Sequence, residues 1–390
     1  MNTRVPVIMY HSVGIPHSSW IWDFLTIPYA LFENHVLYLR KKNFHSIDFM
    51  EYYNHVKHGE QLPSNPVFFN FDDGYLDNWV FAYPILKKYG FNGTIFVNPE
   101  FVDPVNTLRP NLEDVWHGRL SLNDLQVHGF LSWAEMRKME EEGIMDIQSH
   151  AMTHTWYFSG PNIIDFRHPG DQYVWMDWNE EPEKKWQYLS KNNAEKNQCF
   201  GSPVYEHGKS LEVRRYFPDK RLEEHLKSYV SKQGADFFEN KNAKEILYKV
   251  AKEFSLNNRL QDSYESNSEH FSRLHWELGE SKRILESQLL KNVDFLCWPG
   301  GGYYPASVEI SKQYYLGSTI ASKEKKGIYF RLDNGHLRIE RIGCPIIYRN
   351  GSIEYTNGKY LYHYLREYQK VPLHRTIRRC LKLLKIASRK

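Results

Sequence analysis

The feature that most constrains this chain is a recurring one: short apolar, β-rich runs that each stop at a polar or charged residue. They are Val5–Tyr10, Val67–Phe71, Gly93–Val97, Met145–Gln148, Phe295–Trp298, Ser318–Ala321 and Leu337–Ile342. Helix-like stretches such as Asp77–Tyr89 and Trp133–Glu142 lie between several of them. Strands alternating with helices predict parallel βαβ units. In a barrel of such units the catalytic residues sit at the carboxyl ends of the strands. The polar residues at those ends include His11, the pair Asp72-Asp73, and His150.

Bulk composition narrows the function. A charged fraction of 25% and a mean hydropathy of −0.62 describe a soluble chain, and 390 residues suffice for one large domain or two ordinary ones. A net charge of +3 provides no broad basic field, which argues against nucleic acid as a partner. The four cysteines are scattered without a CxxC pair, so neither a disulfide framework nor a cysteine-based zinc site is expected. The run Val5–Tyr10 is too short for a signal peptide or a membrane span, and a cytoplasmic location is the expectation. Aromatics reach 15%, which suits sugar faces but suits ordinary cores better.

The βα rhythm breaks from about residue 156 to 279. This stretch is rich in Asn, Glu, Lys, Trp and Tyr, shows no long buried strand, and contains amphipathic patterns near Leu222–Gln233 and Ala243–Glu253. It reads as one α-rich insertion, a subdomain or a lid, between barrel segments 1–155 and 280–350. Residues 351–390 form a C-terminal extension. Its last part, 373–390, alternates Leu and Ile with Arg and Lys and has no acidic residue. That pattern fits a basic amphipathic helix on an anionic membrane surface, or a solvated helix packed on the barrel.

Four motifs carry chemistry. In Asn70-Phe71-Asp72-Asp73-Gly74 the two carboxylates point apart in extended backbone, but Gly74 permits a turn that brings both to one pocket. One could then bind a metal while the other acts as a base; taken alone, the motif reads better as an Asx turn. His150 and His154, in Ser149-His150-Ala151-Met152-Thr153-His154, share a face if the chain turns helically there. Two histidines and one aspartate make a facial set of three ligands with open positions. His11, in Met9-Tyr10-His11-Ser12, could protonate a leaving amine or be a core histidine. The segment Phe295–Gly301 offers a glycine turn with a backbone N–H for an oxyanion and Trp298 as an aromatic wall, or is a plain strand-to-turn junction.

Together these residues resemble the polysaccharide deacetylases, carbohydrate esterase family four. The family's [TS]FDDG motif is matched except at Asn70, and its H[ST]xxH motif is matched by His150 to His154 with one more residue between the histidines. That longer spacing, with Tyr10-His11 and Trp298-Pro299-Gly300-Gly301, is similar to exopolysaccharide N-deacetylases with an N-terminal YH pair. The resemblance covers about residues 1–155 and 280–345. It implies a distorted (β/α) barrel, with Asp73, His150 and His154 holding a divalent ion, most readily Zn2+. It also implies Asp72 as general base and His11 as the acid. The arginine that orients the base in many members has no counterpart at the Cys297 motif, which leaves Asp72 without an assigned partner. The implied reaction is removal of an N-acetyl group from an amino sugar in surface-polysaccharide or glycolipid assembly. Deformylation of a lipid-linked formamido sugar, hydrolysis of a non-sugar amide, and a non-catalytic carbohydrate-binding barrel are the alternatives. The expected partner is a nucleotide-linked, lipid-linked or oligosaccharide amino sugar, with Tyr75, Trp298, Arg214 and Arg215 as candidate contacts. The two arginines would grip a phosphate, or simply form a solvated face.

Overall fold

The computed structural model describes residues 4–188, 199–320, 331–349 and 352–384. Every one of the seven apolar runs contributes a strand, and together they form a single sheet. Its order is Arg331–Asp333, His336–Ile339, Gly317–Thr319, Phe295–Leu296, Met145–Ser149, Gly93–Val97, Pro66–Phe71, Val7–Tyr10, Ile342–Gly343, with His45–Ser46 also pairing the Pro66 strand. All these pairs are parallel except that between Arg331–Asp333 and His336–Ile339. The strands His336–Ile339 and Ile342–Gly343 lie near opposite ends of this order, yet only Glu340 and Arg341 separate them in the chain. So short a connection spans roughly 10 Å at most, so the sheet curls until its ends meet. The result is a distorted (β/α) barrel.

Side chains alternate across each strand, and the two faces bury separately. Val7, Phe68, Phe96, Phe295, Cys297, Leu337 and Ile339 fill the barrel interior, where the helix Phe49–His58 contributes Phe49, Tyr52 and Tyr53. That helix is fixed by a capping box between Asp48 and Glu51 and ended by Gly59 in the left-handed region. Ile8, Tyr10, Phe69, Phe71, Ile95 and Ile147 face outward into a second cluster with the surrounding helices. Continuing the inward alternation past the carboxyl ends of the strands gives positions 11, 72, 150, 297 and 341.

The segment from 156 to 279 opens with an antiparallel hairpin, Trp156–Phe166 with Pro203–Lys209. An 11-residue strand is longer than the sequence suggested; most of it is only half-buried, so no continuous apolar run marks it. Helices Lys220–Gln233 and Ala243–Asn257 pack beside it through Leu222, Leu226, Leu247 and Ala251 around Phe166. The following helix, Asn267–Leu289, runs across position 279 and places Leu274, Leu278, Leu285 and Leu289 in the large outer cluster. The helix His374–Leu383 packs through Leu381 near Tyr360 and Ile347, and Arg378 pairs with Glu367. Leu373, Leu383 and Leu384 stay exposed, and residues 385–390 of the basic tail lie outside the described residues. No described helix is long and apolar enough to cross a membrane.

Candidate active site

The carboxyl ends of the strands converge as the sequence implied, but the local backbone differs. Residues 150–154 are not helical. Ala151 and His154 have φ of 60° and 44°, and this irregular loop, rather than a helical turn, brings the two imidazoles to one side. Asp73 itself has φ of 74° and Gly74 has φ of 66°; this left-handed pair swings the second carboxylate of the motif back over the barrel mouth. A side chain at Gly74 would also meet Val97 at 3.2 Å.

Asp73 Oδ1 lies 3.1 Å from His150 Nε2 and 3.3 Å from His154 Nε2. It is buried, and neither contact is aligned as a hydrogen bond, so the carboxylate oxygen and the two ring nitrogens share a space without satisfying one another. His150 Nδ1 donates to the Cys297 carbonyl at 2.8 Å, which leaves Nε2 as the lone-pair nitrogen facing Asp73. These three residues form a set that could hold a metal ion, and their chemistry, two imidazoles and a carboxylate, fits a divalent transition metal. Burial would raise the Asp73 carboxyl, but the neighbouring His154 and His150 more than offset it and hold it well below the usual carboxylate range.

Asp72 sits beside this triad, almost fully buried. Arg341 Nη1 donates to its Oδ1 at 2.5 Å, His11 Nε2 lies 3.8 Å from Oδ2, and the Cys297 thiol lies 3.7 Å from the same oxygen. Burial pushes the Asp72 carboxyl up, and the charge of Arg341, then of His150 and His11, pulls it below its ordinary value. Burial also keeps Cys297 a neutral thiol, well above its usual range. Arg341 is the residue that sequence reasoning missed. It meets Asp72 from another strand than the Cys297 motif, and the sequence does not mark it because the apolar run Leu337–Ile342 encloses it, whereas the strand itself ends at Ile339.

The loops that carry these groups are anchored by buried polar contacts. Asn78 Nδ2 donates to the His11 carbonyl at 3.2 Å, and Ser12 bonds to Thr26 and to Asp77. Burial raises the Asp77 carboxyl to about 7. On the other side, Thr153 donates through its N–H and Oγ1 to Glu277, at 3.1 and 2.6 Å. Lys185 donates to the Thr153 carbonyl at 2.8 Å and to Glu100.

A cavity of about 250 Å3 opens above the triad, lined by His11, Asp73, Asn98, His150 and His154 at its base and by Trp22, Phe101, Phe130, Trp156 and Trp178 on its walls. Tyr75 lines it too, against Asp73. Three other candidates do not. Trp298 has no exposed surface; it packs against Tyr303 at 5.0 Å beneath the barrel mouth, so it cannot form a substrate wall. Arg214 donates to the Glu265 carbonyl, while the Arg215 guanidinium lies over Tyr157 and Phe217. Neither arginine lines the cavity: Arg214 is exposed on the insertion surface and Arg215 is half-buried against the two rings. A larger surface cleft of about 590 Å3 near Leu108, Arg137 and Lys291 lies away from these groups.

The sequence profile of the polysaccharide deacetylase domain matches residues 59–205, which include Asp72, Asp73, His150 and His154. That stretch of the chain is similar to a polysaccharide deacetylase domain. Bacillus subtilis YxkH, whose name assigns it provisionally to the polysaccharide deacetylases, is 34% identical over 94 residues, 24% of this chain and 32% of that protein. The match thus spans about a third of the length of that relative. Among solved structures, a de-N-acetylase from Aggregatibacter actinomycetemcomitans is 18% identical with a TM-score of 0.50, covering 87% of this chain and 94% of that one. The BpsB deacetylase domain of Bordetella bronchiseptica is 13% identical with a TM-score of 0.48, over 87% and 96% of the two chains. The first of these likenesses supports the deacetylase barrel as the fold. The matched residues leave out His11, Cys297 and Arg341, which reach Asp72 from outside them.

Proposed function

We propose that this protein is a metal-dependent hydrolase that removes the acetyl group from the nitrogen of an amino sugar. The observation that carries the reading is the adjacency of two unlike carboxylates: Asp73, facing two imidazole nitrogens, and Asp72, facing Arg341 and His11. A divalent ion held by Asp73, His150 and His154, zinc by its donor set, supplies Lewis-acid polarisation of the acyl carbonyl and lowers the pKa of water. Arg341 keeps Asp72 ionised, so that carboxylate can accept the proton of the attacking water. A C–O bond forms as the amide C–N bond breaks, and His11 delivers a proton to the departing amine. The products are acetate and the free amino sugar. The aromatic walls exclude bulk water and offer faces to the ring. A nucleotide- or lipid-linked amino sugar of surface-polysaccharide assembly remains the substrate class this reading favours.

Metal analysis together with acetate release from N-acetylamino sugars tests the proposal. One bound divalent ion and release abolished by a chelator and by Asp73→Ala are expected. Asp72→Asn should keep the ion and lose about 10²–10⁴-fold in turnover. Metal without acetate release would overturn the acetyl assignment, with formate release pointing instead to a formamido sugar.

A further inference from the structure

The cavity over the triad is walled on two flanks by the insertion, and these walls limit what can enter. The triad comes from the ends of the Pro66–Phe71 and Met145–Ser149 strands. Val7–Tyr10 flanks this pair on one side of the sheet, and Phe295–Leu296 flanks it on the other. The insertion reaches both flanks. On the first, the Trp178 ring meets Trp22, in the loop that follows the Val7 strand, at 5.8 Å. On the second, Lys209 donates to the carbonyl of Gly300, just past the Phe295 strand. The contact at Gly300 is close: a Cβ there would lie 2.7 Å from the Lys209 side chain, and its φ is 52°. Trp156 pairs with Lys209 across the hairpin and its ring lies 6.3 Å from that of Trp178, so the two contacts belong to one continuous span. Trp22 and Trp178 are further tied into an aromatic cluster with Tyr75, Phe101 and Phe130.

A polymer bound by an interior unit must leave a site in two directions, whereas a chain end or a single sugar leaves in one. The space between these walls is about 250 Å3. That lies below the roughly 300–1,000 Å3 typical of pockets for drug-sized ligands. We infer that the site accepts one terminal amino-sugar unit, or a single sugar on its carrier, and excludes interior units of a polymer. The inference rests on the amino-sugar reading above. Trp22 and Trp178 set the limit, and Phe24, exposed at the rim, narrows the entrance.

The test uses the zinc-loaded full chain with a β-1,4-linked N-acetylglucosamine pentamer labelled at its reducing end, beside a single N-acetylglucosamine glycoside. Mass fragmentation locates each deacetylated unit. Acetate is expected from the glycoside and from one terminal unit, with interior units reacting at less than about a tenth of the terminal rate. Trp22→Ala should raise the interior-to-terminal ratio at least about ten-fold by opening one flank. Phe24→Ala, at an exposed position that does not threaten folding, should move it in the same direction. Interior deacetylation at the terminal rate in the native protein overturns the inference and leaves the deacetylase reading intact. An unchanged ratio in both variants overturns the role of the walls. If no probe releases acetate, the amino-sugar reading fails and the inference falls with it.

Discussion

At the scale of single residues, the site is a case of neighbours driven to different roles by their surroundings. Asp72 is buried and the adjacent Asp73 partly so, yet one faces a guanidinium and the other faces two imidazoles. Replacing Arg341 by Met leaves only His150 and His11 to oppose burial at Asp72 and raises its carboxyl pKa. The base works only when ionised, so the acid limb of the kcat/KM profile should move to higher pH, by about 1–3 units. An unmoved limb would show that another group is the base. Asp77 makes a second pH prediction. Its folded pKa of about 7 exceeds its ordinary 3.8. The folded state therefore binds the extra proton between those values, and stability falls as pH rises from about 4 to about 7, by up to about 1.4 kcal/mol per pH unit. Asp77→Asn should remove that slope; denaturant unfolding of both proteins at pH 5 and 7 measures the difference.

At the scale of elements, the irregular loop 150–154 matters most, because nothing in its own backbone holds two left-handed residues in place. Glu277, from the long helix Asn267–Leu289, and Lys185, from the insertion, grip Thr153 between them. Orienting contacts of this kind typically govern metal affinity by about 10–100-fold. Lys185→Met should weaken zinc binding by that factor, read by competition with a chromophoric chelator. It also leaves Glu100, 14% exposed, without its cation, which destabilises the fold. The double variant with Glu100→Gln should recover the stability but not the affinity, which separates the two effects. The pattern of strands was legible here because parallel buried strands write themselves as apolar runs. The hairpin Trp156–Phe166 and the non-helical histidine loop were not, since half-exposed strands and left-handed turns leave no such trace.

For the molecule as a whole, barrel and insertion share packing. Leu211 of the insertion and Leu274 and Leu278 of the long helix belong to the same cluster as the outward face of the barrel. Near-UV signals from the insertion tryptophans and far-UV signals from the barrel should therefore report one thermal transition. Removing the metal should lower that transition in both signals together. An ion present at a hundred times its Kd contributes about 2.7 kcal/mol to the folded state. A midpoint indifferent to chelator would argue against a metal at Asp73, His150 and His154.

The sequence by itself determined the alternation of strands and helices, the inward positions 11, 72 and 150, and the donor types at the site. These follow from side-chain periodicity and from chemistry carried within a few residues. Only the tertiary structure decided the partner of Asp72, because Arg341 meets it through closure of the sheet between strands 269 residues apart in sequence. It also decided that Trp298 is buried and that Arg214 and Arg215 lie away from the cavity. Burial depends on what the rest of the chain brings alongside, and no local pattern records that.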